Sequence, residues 1–539
     1  MRFLPVNLNA VLVELDDLAQ TLALLQSLQT EAAAGVQELI PAARTLLIYF
    51  QPETTTLAQL IAEVGRRSVG AQVERSSHLV QIPAQYDGED LQEVAQILGV
   101  TPQDVVRMHT GAEYSVAFTG FAPGFAYLSG GHPLLDVPRR KTPRTRIAPG
   151  SVGLAGTFSG VYPQASPGGW QIIGVTPVNM WDLERVAPSL LQPGYRVQFV
   201  DMAALSAEAL DVLMRECAGE RVAHGQNAAT APAAFRVESP GMQTLFQDAG
   251  RHGQAGQGVG TSGAMDRSAL RAANRVVGNG ADVACLEVAY GGLTLEALQT
   301  AVLAVTGADA LIEVLTAQGQ RVVVQAYAPL ALDAGDRLIV NPPLAGARNY
   351  VAVRGGWVVA PVLGSVATDT LARVGPAPLA AGDALQVGAS SGLAPVALAE
   401  QPPFAMPQAG EVVCLDVVMG PRTDWFAQES LALLCAQEWL VTPQSNRVGI
   451  RLQGDAALVR SQTQELPSEG TALGAIQVPA SGQPVLFLAD HPLTGGYPVI
   501  ASVASHHLDM AGQIPVNAKV KFRVIRDFDV VETVAPAQV

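Results

Sequence analysis

Near the start of the chain the apolar positions alternate between two spacings. Residues 9–15, 45–50 and 72–82 read as strands. Between them Leu18, Leu22, Leu25 and Leu28 keep helical spacing behind the acidic pair Asp16-Asp17, and Leu57, Leu60, Ile61 and Val64 mark a second helix. Two β-α-β passes predict a small ferredoxin-like α+β domain. Two more helices follow. One covers 90–98 and ends at Gly99; the other opens on Thr101-Pro102-Gln103-Asp104, a capping box with proline in its first turn. Beyond His109 the texture changes to short strands and turns. Residues 218–234 are polar, alanine-rich and without pattern, which reads as a linker. Strands dominate again from Phe235, broken by helices near 265–277 and 423–437, and a proline-rich seam lies at 395–409. The resulting boundaries are 1–84, 85–217, the linker 218–234, 235–400 and 401–530.

A faint repeat runs through the strand-rich part. Residues 191–199, 332–340, 379–387 and 514–522 each place a turn before an alternating strand. Gly168-Gly169-Trp170 and Gly495-Gly496-Tyr497 precede two of these units. Turn-plus-strand units resemble one another in any β protein; the alternative is a set of related β-barrels whose mouths or junctions hold a ligand.

Composition narrows the function classes. At 539 residues the chain is too long for one domain, and 49% apolar residues with 15% charged ones exclude disorder. A net charge of −15 repels phosphate backbones, so nucleic acid is not expected as a partner. Cys217, Cys285, Cys414 and Cys435 form no C-x-x-C pair, and no signal-peptide apolar region fits the N-terminus, so a reducing cytoplasm is expected. Residues 147–181 carry no charge, but their seven glycines and four prolines exclude a membrane helix. The three lysines, Lys141, Lys519 and Lys521, rule out a G-x-x-x-x-G-K-[ST] loop and a biotin-carrying lysine.

Three stretches concentrate chemistry. In 109–170, rigid Gly-Pro turns and aromatics at 120–128 precede a run with five cations in nine residues, 138–146. Prolines fix its shape on an acidic chain, so Arg139, Arg140 and Arg144 are expected to converge on phosphate or carboxylate. In 247–287, Gly258 to Gly263 match G-x-G-x-x-G ahead of a helix, though without the parallel βαβ context of a dinucleotide fold. Asp248, Arg251, Asp266, Arg267 and Asn274 accompany it, acids beside cations as a magnesium nucleotide requires. In the last stretch Arg447 and Arg451 lie four apart, and Asp490-His491-Pro492-Leu493 leads into Thr494-Gly495-Gly496-Tyr497. Gly388 to Gly392 match G-x-S-x-G but lack the helix of a nucleophile elbow.

Taken together, the segments GFAPGFAYL, PRRKTPR, APGSVGLAG and SPGGWQIIG resemble the Kip-type, or allophanate-hydrolase-subunit-1, family. The segments QDAGRHG, SGAMDRSALRAAN, SNRVGIRL and TGGYPVIASV resemble its subunit-2 partner. The whole is similar to a fusion of the B and C subunits of 5-oxoprolinase, of the carboxyltransferase-domain family. Departures fall at Gly194-Tyr195 and Asn517-Ala518, where the family has Gly-Asp, and at 490–493.

The resemblance implies a mainly β protein with a small α+β domain and three cyclophilin-like β-barrels, one before the linker and two after it. It implies a hydrolase component that uses ATP and magnesium to phosphorylate 5-oxoproline, with hydrolysis to glutamate completed by a separate LamB/YcsF-type protein, the A subunit of 5-oxoprolinase. Arg139, Arg140, Arg144, Arg251, Arg447 and Arg451 would supply charge neutralisation, with Ser262, Thr494, Gly495 and Gly496 beside the phosphate. Asp248, Asp266 and Asp490 would serve magnesium or catalysis, and His109 or Tyr114 would orient the lactam. Two alternatives stay open: a biotin-dependent carboxyltransferase acting on urea or a related amide, and a module binding a histidine kinase. Self-association is left open as well.

Overall fold

The computed structural model describes residues 1–70, 77–140, 142, 144–222, 232–462, 464 and 466–532. Its first layer is an antiparallel sheet built from β1 (Arg2–Asn7), β2 (Ala10–Glu14), β3 (Val36–Pro41) and β4 (Thr45–Phe50) in the order β3-β4-β2-β1. Helices α1 (Leu18–Thr30) and α2 (Leu57–Val64) belong to the same unit. Asp17 caps α1 by accepting the Gln20 N–H at 2.9 Å, and Thr56 and Gln59 form a capping box on α2. Leu24, Leu25 and Leu28 bury one side of α1 against this sheet, whereas Leu18 and Leu22 pack on the aromatic cluster of the next domain.

The expected last strand of a ferredoxin-like unit is not in this sheet. The place beside β2 is taken by the N-terminal strand β1, which pairs antiparallel with it. The described part of 72–82 belongs to the strand Leu79–Ala84, which runs parallel to Arg196–Asp201 in a second sheet. Val80, Ile82 and Ala84 bury their side chains in that sheet's core with Val105, Tyr114 and Phe199. Its seven strands curl until their edges meet, where Gln85 and Val175 exchange backbone hydrogen bonds at 2.8 Å. The helices Leu91–Leu98 and Pro102–Thr110 stand where the patterning placed them, with Gly99 left-handed at φ 69° and the Thr101–Asp104 box formed.

After the linker a nine-stranded sheet is organised around two long paired strands, Ala301–Leu315 and Arg337–Val353. The helix Arg267–Val277 buries Ala269, Leu270, Ala273, Val276 and Val277 against Ala304, Tyr350 and Ala352 of those strands. The last domain is a closed seven-stranded barrel around Leu415, Trp439, Ile450, Leu486 and Phe522.

The repeat has a structural counterpart. The strands Arg196–Asp201 and Lys519–Arg526 each pair in parallel with the first strand of their own sheet, Leu79–Ala84 and Val412–Met419. The unit at 379–387 contributes Ala384–Leu385, which meets the first strand of the middle sheet antiparallel, and 332–340 opens the long strand Arg337–Val353. The linker residues 223–231 lie outside the described residues; before them Val222 N–H donates to Glu184 O at 2.8 Å. Among the described residues no helix is long and apolar enough to cross a membrane.

Candidate functional site

The two halves of the chain dock through many direct contacts. The Asn7 side-chain amide donates to Val503 O at 2.9 Å, Ala43 N–H to Ser468 O at 3.1 Å, and Leu473 N–H to the Tyr49 hydroxyl oxygen at 3.0 Å. Arg422 of the last barrel pairs with Glu469 beside it and reaches Glu14 of β2 at 2.8 Å. On the other side of this junction Thr119 Oγ1 donates to Ala255 O at 2.9 Å and Gly124 N–H to Gln257 O at 3.0 Å. Gly120 approaches Thr494 so closely that a Cβ there would sit 2.4 Å from the Thr494 hydroxyl oxygen.

A cavity of about 320 Å³ opens where the first sheet, the 250–271 segment and the last barrel meet. Asn7, Glu38 and Tyr49 line it from the first half; Thr261, Arg267 and His491 line it from the second. Glu38 accepts the Thr261 hydroxyl at 3.3 Å through one oxygen, while the other has no partner among the described side chains. Burial pushes the Glu38 carboxyl above its ordinary range. Both ring nitrogens of His491 are shielded from water and without a partner among the described residues. Burial pulls this imidazole down to about 4, against the charge of Asp490, so it is neutral at pH 7. Burial likewise raises Tyr49, whose hydroxyl keeps its proton. The cavity thus presents hydrogen-bonding groups together with the acids Glu38 and Asp509 and two guanidinium groups, Arg267 and Arg271.

Behind one wall lies a dry ion network. Arg447, with a side chain 2% exposed, donates to both Asp490 oxygens at 2.9 Å, to Glu287 at 2.5 Å and to Gly263 O at 2.7 Å. Asp490 also accepts the Ser262 hydroxyl at 2.6 Å and the Thr370 hydroxyl and N–H at 2.7 and 2.8 Å. Burial alone would raise the Asp490 carboxyl, but Arg447 more than offsets it and holds it low. Asp369 nearby is pushed up by burial and by the Asp490 charge. Glu287 accepts Met265 N–H at 3.0 Å and the Tyr350 hydroxyl at 2.8 Å. Ser262 holds a left-handed φ of 53° and also lines the cavity, so it joins the two. The network ties the middle sheet to the last barrel and leaves Asp490 and Arg447 no free position for a ligand.

Several expected site residues prove to be structural. His109 is fully buried; its ring nitrogens contact the Tyr86 and Ser159 hydroxyls at 2.7 and 2.8 Å, and burial pulls it down to about 3. Tyr114 packs beside it in the same core, away from the cavity. Arg140 and Arg144 do not converge on an open anion site. Both bind Asp90, at 2.6 and 2.7 Å, and Asp90 also accepts Ile172 N–H. Arg139 lies beside Gly496, and Lys141 and Pro143 of the same run fall outside the described residues. Thr494 and Gly495 pair with Glu469–Gly470, so the Gly-Gly turn supports the junction and does not line the cavity. Arg451 is exposed on the strand Gly449–Gln453. Arg251 is buried and donates to Ala367 O.

The proposed magnesium ligands do not fit a cation. Asp248 accepts Gly250 N–H, Val366 N–H and the Ser365 hydroxyl at 2.6–2.8 Å. Asp266 caps the helix Arg267–Val277 through Ala269 N–H and takes the Gln513 amide at 2.8 Å. Both oxygens of each carboxylate already face donors. Asp416, His506 and His507 lie together on the last barrel, but Arg523 holds one Asp416 oxygen at 2.6 Å and Asp416 N–H donates to His507 Nδ1 at 2.9 Å.

Glu38 and Tyr49 carry no signal in the sequence because they sit in plain strands and meet the site only through docking. Arg267 and His491 stand beside Asp266 and Asp490 and are overshadowed there by those acids.

Comparison with known proteins matches both halves separately. The carboxyltransferase domain, subdomain C and D, matches residues 1–191, and subdomain A and B matches 257–524. The C subunit of 5-oxoprolinase from Escherichia coli is 36% identical over 53% of this chain and 90% of that protein. The B subunit of 5-oxoprolinase from Bacillus subtilis is 38% identical over 31% of this chain and 75% of that protein. The crystal structure of TTHA0988 superposes with a TM-score of 0.79 at 32% identity, covering 95% of this chain and 99% of that one. The urea amidolyase of Saccharomyces cerevisiae is 31% identical over 54% of this chain, which spans only 16% of that enzyme. The chain therefore belongs to the carboxyltransferase-domain family of Kip-type and allophanate-hydrolase-like proteins, as a fusion of two parts similar to the B and C subunits of 5-oxoprolinase.

Proposed function

We propose that this chain is the B/C component of an ATP-dependent 5-oxoprolinase and that the cavity between its halves holds the lactam. The observation that carries this reading is the shared lining of the cavity. Glu38 and Tyr49 come from the B-like part, and Arg267 and His491 from the C-like part. A resonance-stabilised lactam needs activation before water can open it. The amide oxygen attacks the γ-phosphorus of ATP, the bond to ADP breaks, and the ring N–H proton leaves as the C=N bond forms. Burial holds His491 down to about 4, which makes it a weak base at pH 7, so that proton passes to water. Water then adds to the ring carbon, the C–N bond breaks as the nitrogen takes up a proton to leave γ-glutamyl phosphate, and a second water releases phosphate and glutamate. We assign this last stage to a separate LamB/YcsF-type protein.

The test is glutamate release from 5-oxoproline with ATP and magnesium, with and without that partner. Activity only with both proteins is expected; full turnover by this chain alone would refute the division of labour. The likeness to urea amidolyase supports a second reading, carboxyl transfer from a carboxylated biotin carrier to an amide. Robust carboxylation of urea without ATP-dependent glutamate release would establish that one.

A further inference from the structure

Resting on that reading, the cavity carries information about which lactam it takes. Its lining cations are not equivalent. Arg271 pairs with Asp282 at 2.9 Å and is half in solvent. The Arg267 guanidinium makes no ion pair and no hydrogen bond among the described residues, although the side chain lines the cavity and is partly buried. Asp509, the lining acid whose charge it feels, is engaged elsewhere: its two oxygens accept the Arg267 and Ser268 backbone N–H groups at 3.0 and 3.1 Å. The next N–H of that helix, from Ala269, goes to Asp266 at 2.8 Å. The helix end is therefore already capped by carboxylates, and an anion in the cavity would find the side chain of Arg267, not the backbone. A guanidinium held partly out of water without a partner is costly unless a bound anion completes it.

Tyr49 and His491 offer hydrogen-bonding groups to an uncharged moiety, and Glu38, pushed up by burial, adds a carboxyl with one unpartnered oxygen. The Tyr49 hydroxyl oxygen accepts from Leu473, which leaves its O–H to donate, and His491 has two unpartnered nitrogens. A single cation left unpaired among the described lining residues matches one carboxylate.

We propose that Arg267 reads the carboxylate of the substrate, so that the cavity selects an anionic lactam over an uncharged one of the same ring. The experiment is calorimetric binding of the full chain to L-5-oxoproline and to 2-pyrrolidinone, the same ring without the carboxylate. A charge-assisted hydrogen-bonded pair of this kind gives about 10- to 100-fold preference for 5-oxoproline. Arg267→Gln should bring 5-oxoproline down to the affinity of 2-pyrrolidinone and leave the latter unchanged. Arg267→Lys, which keeps charge but loses the fork, should retain part of the preference and decides the matter if the glutamine variant does not fold. Equal wild-type affinity for the two lactams, or an unchanged preference in the variants, overturns this inference and leaves the 5-oxoprolinase reading intact. Binding of neither lactam overturns both.

Discussion

Replacing Arg447 by methionine removes the shared counter-charge of two buried carboxylates while keeping most of the side-chain volume. In the native chain Arg447 spans Glu287 of the middle sheet and Asp490 of the last barrel, with side-chain exposures of 2%, 2% and 0%. Removing one partner of a buried pair costs about 3–5 kcal/mol. Tyr350 and Met265 still donate to Glu287, and Ser262 and Thr370 to Asp490, so the lower part of that range applies. With a urea dependence of about 2 kcal/mol per molar, the midpoint should fall by roughly 1.5 M. A chain of several sheets need not unfold as one unit, so the loss is best read by hydrogen exchange along Gly449–Gln453 in urea. The effect should depend on pH with a definite sign. Asp490 is held below its ordinary value, so its pairing stabilises the fold above the unfolded-state pKa and fades as pH falls through the folded one. The variant should therefore be most destabilised near pH 8 and recover toward acid. A loss below about 1 kcal/mol, or one independent of pH, would refute the assignment of this network as the bolt between middle sheet and last barrel.

His109→Ala should lower stability by about 2–4 kcal/mol, because it empties a packed core and strands two hydroxyls, yet leave lactam binding unchanged by calorimetry. Asp266 is pushed up to about 6 by burial and by the Asp509 charge, so its contribution is full below pH 4 and lost as pH rises through 6; Asp266→Asn should flatten that slope in urea titrations from pH 4 to 7. A chain cut near Asn227 should stay assembled on size exclusion at micromolar concentration, because Asn7, Tyr49, Thr119 and Gly124 bond directly across the two halves.

The basic run at 138–146 shows how a correct local signal leads to the wrong role. Five cations in nine residues do meet anions, but the partner of Arg140 and Arg144 is Asp90, at the start of a helix about fifty positions earlier. A sequence window reports that a cluster of charge must be compensated; it does not report whether the chain itself supplies the compensation. His109 and Asp490 follow the same rule, since residue types suited to catalysis are equally suited to satisfying a buried polar network.

What the residues determined alone was local. Leucine spacing set α1, the Thr101–Asp104 box and Gly99 bounded two helices, and the turn-plus-strand units marked the closing strands of the sheets. Each depends on contacts between near neighbours, whose geometry follows from backbone sterics and short-range hydrogen bonding. The tertiary structure decided where the strand Leu79–Ala84 went, which arginines stayed unpaired, and that Glu38 and Tyr49 share a cavity with Arg267 and His491. Those outcomes rest on pairings between residues hundreds of positions apart. A strand with two pairable edges, or an arginine with many acids available, has no preference that its own neighbourhood can express, and the choice is made by the burial that docking of whole sheets brings about.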